Sequence, residues 1–405
     1  MEGGKPMQGS WRQTKRACYS GYLTQGIINS LTPLLFTVFQ DSYHLNFAQL
    51  SQLIVLNFGT QLCMDIFSVF FVDRIGMRRC LTGSHLLAAG GLVLMGILPR
   101  VVSPFGGIAF SVVCCGMGSG LIEDLVSPIL DSLPGEHKSS SMSMLHSFYC
   151  WGQVAVIAGT TLALHFLGSS QWYLLPICWA VIPAVNLIRF LRVPLAPALP
   201  PEEKTPISSL LHSRLYLLCL VLMLCAGAAE LSMSQWSSLF AERGLGVPKM
   251  TGDLLGPCLF ALLEGMGRLL YGLYGDKWNL HQVLLWCSVS CAGCYVLMAL
   301  ARLPLLSLMG CALCGFTVSL MWPGMYSLSS HSFPHGGTSM FGLLAVFGDI
   351  GCSAGPWLTG LFGSGEFGLR QGLLAATAFP AVMVVGMLCF CYKAVRQQEK
   401  TPNED

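Results

Sequence analysis

The chain has 405 residues, of which 53% are hydrophobic and only 10% are charged, and its net charge is +2. A soluble globular protein carries about 25% charged residues. This composition argues against a soluble enzyme and a disordered chain. It also argues against a nucleic-acid-binding protein, because no basic patch is large enough to neutralise a phosphate backbone. The apolar residues come in long blocks, which indicates an integral membrane protein.

Twelve apolar blocks are each long enough to cross a bilayer, for which about 20 residues suffice. The first six blocks lie near residues 17–39, 48–72, 79–99, 103–129, 141–167 and 172–190. The last six lie near residues 214–240, 252–274, 280–300, 304–329, 337–362 and 370–392. We therefore predict an all-α membrane protein whose twelve transmembrane helices form two pseudo-symmetric six-helix bundles. The predicted parts are an N-terminal bundle at 1–190, a cytoplasmic linker at 191–213, a C-terminal bundle at 214–392 and a cytoplasmic tail at 393–405.

Lysine and arginine are unevenly distributed between the two sides of the predicted membrane. Of the 22 basic residues, 16 lie on the side of the two termini, five lie on the other side, and Arg268 lies within a span. Since positive charge favours the cytoplasmic side, we predict a multi-pass protein of the cell membrane with both termini in the cytoplasm. The basic segment before the first block runs into an apolar stretch too long for a signal peptide, so we predict a first span and no cleaved leader.

The two halves of the sequence echo each other. In the fifth and eleventh spans, Gly152 and Gly159 are followed 196 residues later by Gly348 and Gly355. In the fourth and tenth spans, Gly120, Pro128 and Ser132 are followed 195 residues later by Gly315, Pro323 and Ser327. A parallel repeat of two six-helix halves is typical of transporters that bind their substrate between the halves.

A charged loop follows the second predicted span and has a partial copy after the eighth. The first reads Asp73-Arg74-Ile-Gly-Met-Arg78-Arg79, and the second reads Gly272-Leu-Tyr-Gly-Asp276-Lys277. The first loop resembles the signature of the major facilitator superfamily, although Val69 stands where that signature begins with glycine. The resemblance implies the major facilitator fold and a conformational latch at the cytoplasmic ends, formed by Asp73, Arg74, Arg78, Asp276 and Lys277. An ordinary positive-inside loop is the alternative interpretation.

The fourth span carries a narrower resemblance. Its segment Gly118-Ser-Gly-Leu-Ile-Glu123-Asp-Leu-Val-Ser-Pro128 is similar to the fourth helix of fucose-permease-type sugar:proton symporters. The resemblance implies that Glu123 lines the central cavity and takes part in substrate binding or proton exchange. The first helix departs from those symporters, because it carries Asn29-Ser30 where they carry an Asn-Asp pair. The coupling ion therefore stays open.

Ionisable side chains inside the predicted spans are the first functional candidates, because each costs several kcal/mol at mid-bilayer. The embedded carboxylates are Asp65, Glu123, Asp124, Glu230, Glu264 and Asp349, and the embedded base is Arg268. Glu123 and Glu230 are the candidates for substrate binding or proton coupling. Glu264 and Arg268 lie four residues apart, so we predict a structural ion pair. For Asp65 we predict packing or a latch between helices. For Asp124 we predict a contact with a neighbouring helix or with the cytoplasmic loops, and for Asp349 a gating or interhelical role.

Amide and aromatic side chains recur in equivalent spans of both halves. Sugar recognition needs such groups, since amides bind hydroxyls and aromatic faces pack on the ring. The candidates are Gln25 and Asn29 in the first span, His146, Tyr149 and Gln153 in the fifth, Gln235 and Trp236 in the seventh, and Trp322 in the tenth. For any one of these residues, helix packing remains an equal alternative.

These features favour a secondary active transporter that moves a small polar solute, a sugar or sugar derivative, by alternating access with proton coupling. A drug or metabolite efflux antiporter of the same superfamily is the alternative, and a membrane protein that transports nothing is a weaker one. No nucleophile, base and acid set supports an enzyme, and no ATP-binding motif is present. Most of the 18 cysteines lie in apolar blocks and are interpreted as small hydrophobic residues, so we expect no metal or cofactor. The expected partners are the solute, protons and membrane lipids, and we expect no nucleic acid. We expect the protein to be a monomer.

Overall fold

The computed structural model describes residues 8–133, 138–195, 207–274, 278–333, 337–364 and 368–400. Within these ranges the chain forms helices joined by short turns and no strand. Long apolar helices follow from the composition, because a backbone in lipid satisfies its own hydrogen bonds only within a helix or a closed barrel.

The first six spans lie in the part of the chain that we call the N-half, residues 8–195. Two of these spans are each built from two consecutive helices. The helices are α1 Gln8–Leu34, α2 Phe36–Tyr43, α3 Phe47–Ile75, α4 Met77–Ile97, α5 Pro104–Ser132, α6 Lys138–Leu167, α7 Leu174–Trp179 and α8 Val181–Arg192. The pair α1 and α2 forms the first span, and the pair α7 and α8 forms the sixth.

The last six spans lie in the C-half, residues 207–400, after the short helix α9 Ile207–Leu211. The helices are α10 Arg214–Leu239, α11 Lys249–Asp253, α12 Leu259–Tyr274, α13 Leu280–Leu300, α14 Pro304–Val318, α15 Met321–Ser332, α16 Gly337–Gly363, α17 Leu369–Ala376 and α18 Ala378–Lys400. The eighth, tenth and twelfth spans each combine two consecutive helices. A π-helical turn at Leu254–Cys258 joins α11 to α12.

Proline accounts for three of the breaks within spans. Pro183, Pro323 and Pro380 are each the third residue of the helix that follows a break, in α8, α15 and α18. Proline has no N–H for the carbonyl four residues earlier, and that carbonyl lies where the preceding helix ends. A proline in the first helical turn costs little, because the N–H groups there have no partner within the helix.

The twelve-helix architecture is confirmed. Ten of the described segments are long and apolar enough to cross a membrane. The two further spans are α1 with α2, which is rich in amide and hydroxyl side chains, and α16, which is rich in glycine. Most span ends agree with the sequence prediction to within a few residues. The first span differs, because it begins at Gln8 instead of near residue 17.

Glycine allows the first and fifth spans to pack at backbone distance. A Cβ atom on Gly26 of α1 would lie 2.1 Å from the carbonyl oxygen of Tyr149 on α6, and one on Gly152 would lie 2.3 Å from that of Leu23. The C-half repeats this arrangement between α10 and α16, where a Cβ atom on Gly351 would lie 2.0 Å from the carbonyl oxygen of Leu224. The close packing of the first and fifth spans therefore has a counterpart between the seventh and eleventh spans.

The two halves meet along α3 with α16 and along α6 with α12. We call the side of the molecule where α1 begins and α18 ends the terminal side, and the opposite side the far side. Three polar contacts join the halves on the far side. Arg243 pairs with Asp41, the ammonium group of Lys249 donates to the carbonyl oxygen of Leu34 at 2.9 Å, and Thr161 donates to the buried carboxylate of Asp253 at 2.9 Å.

We predict that Gly26→Val destabilises the protein by about 1–3 kcal/mol, because the new side chain forces α1 away from α6. Gly90→Val on α4 is the matched control, since a Cβ atom there meets nothing within 4 Å. Melting of both purified variants in detergent measures the effect. Equal melting temperatures for the two variants would contradict the close α1–α6 packing.

Candidate substrate and proton site

Glu123 of α5 faces α1, where the side-chain amide of Gln25 donates a hydrogen bond to its carboxylate. The side-chain oxygen of Gln25 is buried and has no hydrogen-bond partner. Asp65, Asp124 and Glu230 act electrostatically on Glu123, and all three are acidic. The contact between Gln25 and Glu123 thus leaves hydrogen-bond acceptors without a matching donor. A proton or a solute hydroxyl would supply that donor.

Asn29 lies one turn beyond Gln25 on α1 and is 3% exposed. Its side-chain oxygen accepts hydrogen bonds from Asn57 at 3.0 Å and Gln61 at 3.2 Å, both on α3. Its side-chain nitrogen donates to the hydroxyl of Tyr149 on α6 at 3.4 Å. Asn29 therefore joins three helices of the N-half, and its amide is engaged by protein groups in this conformation.

Sequence reasoning missed Asn57 and Gln61, which hold Asn29 in place. Gln61 also accepts a hydrogen bond from Ser119 of α5 at 3.1 Å, which extends the polar network. A signal was available, because Asn57 and Gln61 are polar residues four positions apart on one face of an apolar span.

Arg268 of α12 carries the central charge of the C-half. It forms the predicted ion pair with Glu264, which is confirmed, and a second contact at 3.3 Å with Glu230 of α10. Its guanidinium group also reaches the N-half, 3.5 Å from the sulfur of Cys150 and 6.0 Å from the ring centre of Tyr149. Two carboxylates therefore share one guanidinium group at the α6–α12 interface. The pairing of Glu230 was not predicted, because it joins different helices.

Aromatic rings flank the polar groups. The ring of Tyr22 on α1 meets that of His146 on α6 edge to face, with centroids 5.1 Å apart. Trp322 and Tyr326 of α15 lie 6.4 Å apart, and Tyr326 lies close to Glu123 and to Tyr22. Tyr22 and Tyr326 were not predicted as site residues. The structure brings the candidates His146 and Trp322 to this region as partly exposed rings.

Gln153 and Gln235 lie nearer the far side, along a small cleft between the halves. Ser30, Ser234 and Phe260 also line this cleft, which has room for water but not for a sugar ring. The amide nitrogen of Gln235 donates to the backbone oxygen of Asn29 at 3.0 Å, which ties α10 to α1. The side-chain oxygen of Gln153 has no hydrogen-bond partner.

Trp236 lies apart from the other candidates. Its side chain is 0% exposed, and its indole N–H donates to the carbonyl oxygen of Pro356 on α16 at 2.8 Å. Its ring packs on Phe36 of α2, with centroids 5.6 Å apart. The structure therefore places Trp236 in far-side packing and not beside Glu123.

The structure describes only some of the predicted latch residues. Arg78 donates to the carbonyl oxygens of Phe190 and Val193 at 2.6 and 2.8 Å, so it ties α4 to the end of α8 within the N-half. Arg74 is exposed. Asp276 and Lys277 lie outside the described residues, as does the side chain of Asp73. The latch between the halves stays a prediction.

We predict that Arg268→Met destabilises the protein by about 3–5 kcal/mol, because it leaves two buried carboxylates without their cation. Adding Glu264→Gln to that variant removes one of those charges and should recover part of the loss. Arg302→Met, at an exposed position, is the control and should melt like the wild type. Thermal unfolding of the four proteins in detergent tests this, and a double variant no more stable than Arg268→Met would contradict it.

Comparison with known proteins agrees with this architecture. The sequence model of the Major Facilitator Superfamily matches residues 18–356 and 258–404. No curated protein sequence matches the chain.

Solved transporters share the fold at low sequence identity. The E. coli fucose:proton symporter FucP aligns with a TM-score of 0.66 and 13% identity, over 93% of this chain and 98% of that one. A D-xylose-proton symporter aligns with a TM-score of 0.76 and 12% identity, over 94% and 97%. The nucleoside transporter NupG aligns with a TM-score of 0.75 and 11% identity, over 93% and 99%. With a family model that extends over most of its length and two bundles that bury charged groups between them, the chain belongs to the Major Facilitator Superfamily and is a multi-pass membrane transporter.

Proposed function

We propose that the chain is a secondary active transporter that moves a small polar solute, a sugar or sugar derivative, by alternating access coupled to protons. The observation that carries this proposal is the buried contact between Gln25 and Glu123, which leaves an amide oxygen without a donor. The solved transporters of similar fold are named for fucose, xylose and nucleosides, the first two as proton symporters, which supports the same class.

A hydroxylated solute fits the groups around Glu123. Its hydroxyls can donate to the carboxylate and to the free oxygen of Gln25, while the rings of Tyr22 and Tyr326 offer apolar faces. An anionic solute is disfavoured, because the acidic groups that act on Glu123 would repel it. These groups come from α1, α5 and α15, so binding would involve both halves.

Proton coupling follows from the cost of moving Glu123 through an apolar interface. An ionised carboxylate resists burial, whereas a protonated one is neutral and can be carried through a closed state. Binding of a proton at Glu123 would therefore favour reorientation of the loaded carrier. In this conformation the contacts of Asp253 and Lys249 hold the two halves together on the far side.

We further propose that the terminal side faces the cytoplasm and that the protein works as a monomer in the cell membrane. The bias of 16 basic residues to five supports this orientation. The same proposal includes the domain limits at residues 190, 213 and 392. In the structure α8 ends at Arg192 and α10 begins at Arg214, on either side of the proposed linker.

The first test measures solute-driven acidification of proteoliposomes that contain a pH dye. A panel of neutral sugars, acetylated sugars and nucleosides is added outside, with wild type beside Glu123→Gln. We expect acidification with at least one solute, and a loss of about tenfold or more in Glu123→Gln. Glu242→Gln is the matched control, because Glu242 lies at the far side, away from Glu123, where its partner Lys249 is 3.8 Å away.

A second readout separates coupling from binding. Exchange of labelled solute across the membrane needs no net proton movement, so Glu123→Gln should retain it if its amide still binds the solute. Loss of both readouts with normal folding would make Glu123 a binding residue instead. Uptake driven only by a sodium gradient would contradict proton coupling, and efflux of hydrophobic compounds without sugar uptake would favour the antiporter alternative.

A further inference from the structure

Two carboxyl groups, one from each half, meet at a place away from the Gln25–Glu123 contact. Asp65 of α3 and Asp349 of α16 are each 7% exposed, and their carboxyl groups lie within hydrogen-bonding reach of each other. The Oδ2 atom of Asp65 is buried and accepts no hydrogen bond from an N–H or O–H group. A carboxylate ion has no proton to donate, so a hydrogen bond between two carboxyl groups requires that one of them be protonated.

The packing of α3 on α16 holds these groups in place. A Cβ atom on Gly360 of α16 would lie 2.0 Å from the hydroxyl oxygen of Ser51, so the two helices touch closely toward the far side. Asp65 and Asp349 lie farther along the same interface, closer to the terminal side. The interface is formed by one helix of each half, so movement of the halves on the terminal side must change the distance between the two carboxyl groups.

The surroundings of the pair add negative charge. Glu123 and Asp124 approach from α5, Tyr326 approaches from α15, and Cys352 lies one turn along α16. Asp124 itself lies against Ser68 of α3. Arg268 is engaged at the other interface between the halves, by Glu230 and Glu264. The charged groups that act on the pair are therefore acidic, and a proton bound between the two carboxyl groups would reduce their mutual repulsion.

We infer that Asp65 and Asp349 form a second proton-binding site, separate from Glu123, whose proton holds α3 against α16. Bound there, the proton leaves one carboxylic acid and one carboxylate joined by a hydrogen bond. Its release leaves two carboxylates in contact, which repel each other and favour separation of the halves on the terminal side. The inference rests on alternating access, and it needs neither the proposed solute nor proton coupling at Glu123.

The test measures the distance between α3 and α16 as a function of pH. Genetically encoded spin labels at Ile75 and Gly342 avoid the native cysteines, and both positions are exposed. Pulsed electron paramagnetic resonance in nanodiscs, without added solute, gives the populations of short and long distances. In the wild type, the ratio of short to long should fall by up to about tenfold for each pH unit over which the proton is lost.

Isosteric amides provide the matched variants. Asp65→Asn and Asp349→Asn each put an amide donor opposite a carboxylate, so the contact no longer needs a proton. Both variants should keep the short distance at every pH, while Arg302→Met, at an exposed position away from the pair, should keep the pH response of the wild type. Size-exclusion chromatography checks that each variant folds.

Three results would overturn the inference. One is a wild-type distance that does not change with pH, or that changes equally in Asp65→Asn and Asp349→Asn. Another is a short distance that follows sodium concentration at constant pH, which would make the bound ion a metal cation. A pH response that disappears in Glu123→Gln but persists in the two Asn variants would also assign the proton to Glu123 and overturn it.

Discussion

The rest of this structure depends on the cost of burying charge in a membrane. Every ionised group within the spans needs a partner of opposite charge or a proton. The described helices supply one embedded arginine, Arg268, and it neutralises only one of the two carboxylates that contact it. Glu123 contacts the neutral amide of Gln25, and Asp65 contacts another carboxyl group. The protein therefore relies on protons or a bound solute to complete its charge balance.

The position of these groups joins charge balance to movement. Arg268 lies where α12 meets α6, and Asp65 lies where α3 meets α16, so both interfaces between the halves contain incompletely balanced charge. A change in protonation alters the energy of an interface directly, without a relay through the helices. This is the differential interaction that a population shift between two conformations requires. The polar network of Asn29 gives the N-half a fixed surface against which such a change acts.

Sequence predicted well what depends on local spacing. Apolar runs predicted the spans, and a separation of four residues predicted the Glu264–Arg268 ion pair. Both predictions succeeded because each depends only on spacing within one helix. Contacts between helices were harder, since the rotation of each helix about its axis decides them. Glu230 and Trp236 lie on one helix, yet one contacts Arg268 and the other packs against Pro356. The hydropathy of that helix gives no sign of this difference, because its apolar residues surround it on every side.

The internal repeat separates the constraints of packing from those of chemistry. Gly152 and Gly348 occupy equivalent positions and both permit close contact, with Leu23 and with Trp322. The next residue in each copy differs, because Gln153 follows the first glycine and Asp349 follows the second. Neither position has room for a Cβ atom, so both admit only glycine and the packing positions stay alike in both halves. The acidic, basic and amide side chains that line a cavity between the two halves can come from either half. The charged residues therefore need not repeat at equivalent positions.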